Sequence, residues 1–344
     1  MKVLIYSKFK YDFVDEILYR GFSDLLHEGS LYIYAPNSMY IPRYMNGLRK
    51  DRFVEGDEIF DRIDEFDLII FCNTSLFDRN FSKVMSRKTN VKRVFMDAVD
   101  DFFIRRIYLH KNLDYYFKRE AYNYMSINDR FEWGAKYMYV RAWLYAKRIV
   151  NPLSIYDIPF AIALKRRFKN LKVFNLTTTA VNRNELNFNR NIPLSFVGMY
   201  NNRFRKMDAD CAANFCKSAG LNNCFIRNSK KDRVKDLDYK KILGRSKIGL
   251  SLRGIGYDTF RYWEIPSNGA ALLSRRLPII IKNDFTDEQN ALFFSSYEEL
   301  DTKISKYLIK SDEWREIAKA GRTHFLRYHT PKERAKHILS EIAE

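Results

Sequence analysis

The chain has 344 residues, of which 46% are hydrophobic, and only 13 are glycine and 8 proline. This composition excludes collagen-like, low-complexity and disordered proteins, and it predicts a folded chain of about two domains. Lysine and arginine outnumber aspartate and glutamate by 60 to 42, which gives a net charge of +18. Such a basic protein attracts polyanions such as nucleic acid, phospholipid headgroups, nucleotides or acidic glycans, and charge alone does not choose among them.

Short apolar runs alternate with amphipathic stretches in the first 180 residues. This alternation is typical of strands and helices in turn, and nearly continuous apolar strands indicate a parallel sheet buried on both faces. We predict strands at 3–6, 31–34, 68–71, 94–96 and 115–117. A ligand crevice is expected beyond the carboxyl ends of these strands.

A polar, aperiodic stretch at 177–185 predicts a linker, and a second alternating series follows it. Strands are predicted there at 194–198, 224–226, 248–250, 270–273 and 279–281, with helical periodicity from residue 311 onward. The resulting fold class is α/β. We expect an N-terminal domain over 1–180, a C-terminal domain over 181–330, and a helix over 331–344 that packs back on the N-terminal domain.

Membrane and metal signals are missing from the sequence. No apolar run approaches the roughly 18 residues that span a bilayer, and Lys2, Lys8 and Lys10 interrupt the start where a signal peptide has its apolar core. The four cysteines and five histidines lack the spacings of a metal site. We therefore expect a cytoplasmic protein with reduced thiols and no bound metal.

Residues 251–274 carry the most informative pattern. A predicted strand ends in a glycine-containing loop, Arg261 and Glu264 follow on a predicted helix, and Asn268 with Gly269 ends that helix. Because Arg261 and Glu264 are three residues apart, they share a helix face. One interpretation is a surface ion pair; the other is a carboxylate for sugar hydroxyls beside a guanidinium for diphosphate at a helix N-terminus.

The ordered series of motifs after residue 194 resembles the carboxy-terminal domain of CgeB-like, group-1-type glycosyltransferases. The resemblance covers roughly residues 194–340. Its motifs are Arg261-x-x-Glu264-x-x-x-x-Gly269 with the Ala-Ala-Leu-Leu-Ser that follows, Tyr297-Glu-Glu-Leu300, Trp314-Arg-Glu-Ile-Ala-x-Ala-Gly321 and His329-Thr330. It implies the GT-B fold, in which two Rossmann-like domains face a cleft, with the acceptor on the side of the N-terminal domain.

The resemblance also implies a nucleotide-sugar donor bound mainly by the C-terminal domain, without a metal or other cofactor. Glu264 matches the family carboxylate that binds the ribose hydroxyls, and Arg261 is then a diphosphate contact. Further donor neighbours are expected at Gly198, Arg203, Arg253, Tyr257, Asn268, Gly269 and Ala270.

The chain departs from the family at two places. Many retaining relatives carry a second glutamate eight positions before the ribose carboxylate, where this chain has Gly256. The glycine-rich loop that many relatives place after the first strand is replaced by residues 7–10. No contact to the donor sugar is therefore assigned at Gly256, and the stereochemistry of transfer stays open.

A general base, if transfer inverts the sugar, is expected from the first domain. Asp97, Asp100 and Asp101 follow the fourth predicted strand, where a carboxylate can take a proton from an acceptor hydroxyl. The alternative is helix capping by one aspartate and solvation of the others. His27 and His110 compete for the role.

The predicted partner surface is a helix over 133–150. At 100° per residue its polar side mixes basic and aromatic side chains, which suits an anionic membrane surface or an anionic acceptor, although an ordinary solvated face explains it as well. That side contains Trp133, Lys136, Arg141, Leu144, Lys147 and Arg148, and residues 165–169 extend the basic character.

Three functional hypotheses follow. The leading one is a glycosyltransferase of hexosyltransferase type acting on an envelope, polysaccharide or protein acceptor, with peripheral membrane contact as one form of it. A second is a protein that binds nucleic acid or glycosylates its bases, although the basic residues are dispersed and no known nucleic-acid signature is present. A third is a degenerate GT-B protein that binds sugar nucleotides without turnover.

Overall fold

The structure is a computed structural model of the chain. It describes residues 1–7, 13–34, 53–54, 56–72, 79–98, 103–104, 112–121, 158–159, 170–179, 181–200, 203–228, 234, 236–254 and 256–343. Several predictions lie outside the described residues, namely those for Asp100, Asp101, His110, the helix over 133–150 and the basic run at 165–169.

The first of two compact units consists of Met1–Asn175, Pro278–Ile281 and Ala335–Glu344. Its strands are β1 (Val3–Ser7), β2 (Leu31–Tyr34), β3 (Phe53–Val54), β4 (Leu68–Cys72), β5 (Lys92–Asp97), β6 (Phe103–Ile104), β7 (Tyr115–Lys118), β8 (Ile158–Pro159) and β9 (Leu171–Val173). Seven of them form a parallel sheet in the order β3-β2-β1-β4-β5-β7-β9, and β6 pairs with β8 in an antiparallel ladder.

The centre of this sheet explains the apolar runs in the sequence. All five residues of β4 are buried, so the side chains on both faces of the strand are covered. The flanking helices include α1 (Phe13–Ser23) and α2 (Arg79–Ser86), and aromatic rings from Tyr6, Phe71 and Phe81 pack in the core. The five strands predicted in this half of the chain are confirmed.

The second unit consists of Leu176–Leu277 and Lys282–Arg334. Its strands are β10 (Ile192–Gly198), β11 (Phe225–Asn228), β12 (Ser246–Ser251), β13 (Ala271–Arg275) and β14 (Leu292–Phe294). They form a parallel sheet in the order β11-β10-β12-β13-β14. The chain adds β11 on one side of β10 and then β12 on the other, so the connections reverse direction between β10 and β12. In open parallel sheets, ligands bind at the carboxyl ends of the strands at such a reversal.

The helices of the second half follow the strands in turn. They are α3 (Arg203–Ser218), α4 (Asp236–Arg245), α5 (Phe260–Ser267), α6 (Tyr297–Ile304), α7 (Trp314–Tyr328) and α8 (Pro331–Ala343). Within the described part of the chain, no helix has both the length and the apolar character needed to cross a membrane.

The strand predicted at 279–281 is wrong. The backbone N–H of Ile280 donates to the carbonyl of Ala121 at 2.7 Å, and the side-chain amide of Asn175 donates to the carbonyl of Ile280 at 3.0 Å, so this segment belongs to the first unit. The fifth strand of the second sheet is β14 instead. A short apolar run does not reveal which of two hydrophobic cores it packs into. The prediction from sequence therefore assigned this segment to the second sheet.

Candidate functional site

The buried arginine Arg205 ties together the two loops at the reversal point of the second sheet. It lies in the first turn of α3 and is only 4% exposed. Its guanidinium donates to the carbonyls of Met199 after β10, at 2.9 Å, and of Leu252 and Arg253 after β12, at 3.2 and 2.6 Å. Burial, with Arg261 and Arg253 nearby, lowers the pKa of Arg205 to about 10, so it remains a cation at neutral pH.

Arg261 on α5 covers the end of β10. Its Nε–H donates to the carbonyl of Val197 at 2.5 Å. Gly198 makes this approach feasible, because a Cβ there would lie 3.1 Å from Nη2 of Arg261 and 2.9 Å from the ring of Phe196. The absence of a side chain at Gly198 therefore leaves room for the guanidinium at the carboxyl end of the strand.

The third arginine, Arg253, is held between two aromatic rings. Its guanidinium carbon lies 4.6 Å from the ring centre of Phe204 and 5.1 Å from that of Tyr257, and Nη1 donates to the Tyr257 hydroxyl at 2.7 Å. The following loop is tight, because a Cβ on Gly254 would lie 2.8 Å from Nη2 of Arg205. Arg205, Arg253 and Arg261, here called the arginine cluster, thus gather positive charge at one edge of the sheet.

Glu264 lies one turn after Arg261 on α5, and Tyr239 of α4 contacts it. The Tyr239 hydroxyl donates a hydrogen bond to the Glu264 carboxylate. Burial, together with the negative charge of Glu264, raises the pKa of Tyr239, so the hydroxyl stays protonated and remains a donor. Glu264 is half-buried. The predicted carboxylate is therefore oriented by a residue that the sequence analysis did not name.

Buried polar contacts fix the position of α5. Asp258 is 2% exposed and accepts hydrogen bonds from the backbone N–H of Leu176 at 2.5 Å and from Nε1 of Trp263 at 2.9 Å. Arg334 lies 4.7 Å from the centre of the Trp263 ring and donates to the carbonyl of Leu176 at 3.0 Å. Asp258 is thus engaged in holding the helix rather than standing in for the glutamate missing at Gly256.

The structure does not bring Asn268, Gly269 and Ala270 to the arginine cluster. Arg190 donates to the carbonyl of Ser246, the first residue of β12, at 2.8 Å and to that of Asn268 at 3.0 Å. The turn therefore lies at the amino edge of the sheet. Gly269 has φ of +73°, and a Cβ there would lie 2.3 Å from Leu186, which accounts for the glycine. The turn ends α5 away from the arginine cluster, and its contact with the donor stays a prediction.

Arg203, also expected to contact the donor, begins α3 and is exposed. The sequence contained a signal for its neighbour Arg205, because Arg205, Asp208, Ala209 and Ala212 fall at helical spacing on the buried face of α3. An arginine on an apolar helix face needs buried acceptors, and here the loop carbonyls supply them. The partnership of Tyr239 with Glu264 spans 25 positions and left no sequence signal.

The structure describes two of the candidate bases of the first unit, Asp97 and His27, and places them in different surroundings. Asp97 is 1% exposed, and its carboxylate accepts hydrogen bonds from the Tyr116 hydroxyl at 2.5 Å and from Nζ of Lys118 at 3.0 Å. A carboxylate buried in an ion pair has little access to an acceptor hydroxyl, so the placement of Asp97 favours a structural role, and its role as a base stays a prediction. His27 is exposed. Among the described residues, no group of three or more histidine, cysteine or acidic side chains is arranged to hold a metal ion.

Comparisons with known proteins concern the sequence of the second half of the chain and the overall fold. Residues 202–340 match a family described as glycosyl transferase-like. No curated protein is detectably similar to the chain in sequence. Among solved structures, the chain spans 55% of the length of TarM, at a TM-score of 0.49.

Several solved structures match over the whole chain at low identity, among them these three. One is an α-glucosyltransferase in complex with UDP and a 13-mer DNA containing an HMU base. It matches the chain at a TM-score of 0.59 and 10% identity, and the chain covers 99% of its length. A glycosyltransferase from Rickettsia africae has a TM-score of 0.57, 11% identity and 98% covered. HepE from Anabaena, in complex with UDP and glucose, has a TM-score of 0.54, 10% identity and 100% covered. The chain therefore has the GT-B fold of glycosyltransferases, and its segment 202–340 is glycosyl transferase-like in sequence.

Proposed function

We propose that the chain is a glycosyltransferase of hexosyltransferase type that uses a nucleotide-sugar donor. The observation that carries the proposal is the arginine cluster at the reversal point of the second sheet, with Glu264 one helical turn from Arg261. Diphosphate is the ligand that suits clustered guanidinium groups, and ribose hydroxyls suit a fixed carboxylate.

The chemistry of transfer follows from the charges. As the bond between the sugar and the diphosphate breaks, negative charge develops on the leaving diphosphate. Arg205, Arg253 and Arg261 are already held by backbone carbonyls or aromatic rings, so little reorganisation is needed when that charge appears. Glu264 binds the ribose and sets the position of the diphosphate against the arginines.

We propose metal-independent transfer, because these cations supply the charge that a divalent ion otherwise provides. Activity should be the same in the presence of EDTA and of added Mg²⁺ or Mn²⁺. Loss of turnover on chelation, restored by one of these ions, would contradict this part of the proposal.

The acceptor is proposed to be an envelope component, a polysaccharide or a protein. A second candidate is a nucleic-acid base. The net charge of +18 suits it as it suits other polyanions, and a neighbour of the same fold is in complex with DNA. Nucleic acid should bind with affinity that falls steeply with salt, whereas membrane contact requires binding to anionic vesicles.

The test is a panel of nucleotide sugars, with thermal shift for binding and release of free sugar for turnover. A donor at 100 times its Kd should stabilise the fold by about 2.7 kcal/mol. The active donor is then offered with polysaccharide, protein, DNA and vesicle acceptors. Stabilisation without turnover on any acceptor would favour the degenerate binding protein, and no stabilisation by any nucleotide sugar would overturn the proposal.

A further inference from the structure

Three polar side chains meet beside the carboxyl edge of the first sheet. Tyr34 is the last residue of β2, Asp57 begins the 3₁₀-helix Asp57–Asp61 that follows β3, and Asn80 is the second residue of α2. The Tyr34 hydroxyl donates a hydrogen bond to Oδ1 of Asp57. Nδ2 of Asn80 donates to the same oxygen at 2.9 Å and to the Tyr34 hydroxyl at 3.3 Å. Each side chain thus contacts the other two, and the three are here called the polar triad.

The polar triad lies where the connections of the first sheet reverse direction. The chain places β2 and then β3 on one side of β1, and afterwards places β4 on the other side. Tyr34 comes from β2, whereas Asn80 comes from the helix that follows β4, so the triad joins elements from both sides of β1. Open parallel sheets bind ligands at such a reversal, beyond the carboxyl ends of their strands. The location therefore favours a ligand site.

The core of the first unit fixes the position of the polar triad. Tyr34 is 3% exposed, and its ring stacks on that of Tyr6 with the ring centres 5.1 Å apart. The ring of Phe60, from the same 3₁₀-helix as Asp57, packs edge-on against Tyr34 at 4.7 Å. Asp57 itself is exposed. The triad thus presents an accessible carboxylate that is anchored through one of its oxygens.

Two hydrogen-bond acceptors of the polar triad are free. In the described part of the chain, no donor reaches Oδ2 of Asp57 or Oδ1 of Asn80, since the bonds within the triad use Oδ1 of Asp57 and Nδ2 of Asn80. Two neighbouring acceptors suit a ligand that carries neighbouring hydroxyl groups. A cationic ligand suits the triad less well, because its single carboxylate lies next to Arg79 on α2.

We propose that the polar triad binds the hydroxyl groups of a carbohydrate, and that this carbohydrate is the acceptor. One hydroxyl group donates to Oδ2 of Asp57, and a neighbouring hydroxyl donates to Oδ1 of Asn80. Tyr34 is a positioning residue, because its own hydroxyl holds the carboxylate in place. The role of the carbohydrate as acceptor rests on the proposed function, whereas carbohydrate binding by the triad does not.

The test measures disaccharide binding to the folded full chain by saturation-transfer difference NMR, with and without nucleoside diphosphates. The probes are cellobiose, maltose, chitobiose and xylobiose, and at least one should bind the wild type. Asp57→Asn keeps the anchored oxygen but puts an amide nitrogen in place of the free one, so it should weaken binding about tenfold or more. Asp61→Asn is the matched control, because Asp61 is exposed on the same 3₁₀-helix and pairs with Lys83 instead. It should bind as the wild type does.

A second variant tests the positioning role of Tyr34. Tyr34→Phe keeps the buried ring and removes only the hydroxyl, so it should weaken disaccharide binding less than Asp57→Asn does. Added to Asp57→Asn, it should cause no further loss, because the hydroxyl acts through the carboxylate. Circular dichroism checks that each variant folds. Additive losses in the double variant would contradict the role given to Tyr34.

The outcomes separate this proposal from the proposed function. Failure of every disaccharide to bind the wild type, or equal affinity in wild type and Asp57→Asn, would overturn the carbohydrate site even where nucleoside diphosphates bind. Disaccharide binding that depends on Asp57, without binding of any nucleoside diphosphate, would contradict the proposed function alone. Affinity for a single-stranded DNA oligonucleotide that falls in Asp57→Asn, with no disaccharide bound, would assign the triad to a nucleic acid and overturn the proposal.

Discussion

The guanidinium of Arg205 donates a hydrogen bond to the carbonyl oxygen of Met199 at 2.9 Å, and so holds the turn that follows β10. The same side chain holds the loop after β12 through the carbonyls of Leu252 and Arg253. These are the two loops at the reversal point of the sheet. A single buried cation thus shapes the loops and raises the positive charge of the place where an anion is expected.

Replacing Arg205 by methionine should therefore cost both stability and anion binding. The change leaves three carbonyls, one of them buried and two partly buried, without their charged donor. We therefore expect a loss on the order of 3 kcal/mol in the free energy of unfolding, measured with urea. Arg203→Met, two residues earlier and exposed, is the matched control and should stay within about 0.5 kcal/mol of wild type. Equal stability of the two variants would contradict the role given to Arg205. A loss of nucleotide affinity in Arg203→Met without loss of stability would support its predicted donor contact.

Gly198→Ala should displace Arg261. The added methyl group meets Nη2 of Arg261 and the ring of Phe196 at contacts too short to keep, so nucleotide affinity should fall along with stability. Gly244→Ala in α4 is the control, since its Cβ has no neighbour within 4 Å and a helical alanine is favoured by about 0.5–1 kcal/mol. Titration calorimetry with a nucleoside diphosphate and urea unfolding measure both effects. Unchanged affinity in Gly198→Ala would separate Arg261 from the site.

Tyr239 and Glu264 should act as one unit in donor binding. Glu264→Ala removes a carboxylate that binds ribose hydroxyls, each such bond being worth about 1.5–3 kcal/mol, while Tyr239→Phe only frees the carboxylate to rotate. We therefore expect a smaller loss of affinity for Tyr239→Phe, and no further loss when it is added to Glu264→Ala. Additive losses in the double variant would show that Tyr239 acts independently of Glu264.

His329 should make the second unit sensitive to acid. Burial, with the positive charge of Arg334 and the ring of His324 nearby, lowers the pKa of His329 well below its usual value. Below about pH 6.5, His329 binds a proton in the unfolded chain but stays neutral in the folded chain. The free energy of unfolding therefore falls as pH decreases through that range. His329→Gln should flatten the fall in Tm between pH 7.5 and 5.5, whereas His27→Gln, at an exposed position, should keep the wild-type slope. Identical slopes in all three proteins would refute this explanation.

The sequence was sufficient for the parts of the fold that depend on local pattern. Buried parallel strands read as apolar runs, and the three-residue spacing of Arg261 and Glu264 placed both on α5. The sequence was not sufficient to predict side-chain surroundings that depend on burial or on the order of strands in the sheet. The ion pair of Asp97 with Lys118 is formed by neighbouring strands of the fold. The turn at Gly269 lies at the far edge because a helix that starts at the carboxyl edge of a parallel sheet returns to the amino edge, about 12 Å away over eight residues.

The central claim is that the arginine cluster binds the diphosphate of a nucleotide, and calorimetric titration of nucleoside diphosphates into wild type, Arg261→Lys and Arg276→Lys tests it most directly. Lysine lacks the planar fork that binds diphosphate, so Arg261→Lys should lose about tenfold or more in affinity. Arg276, exposed in an ion pair with Asp287, should tolerate the same change without loss. Failure of every nucleoside diphosphate to bind the wild type, or equal affinity for wild type and Arg261→Lys, would contradict the account.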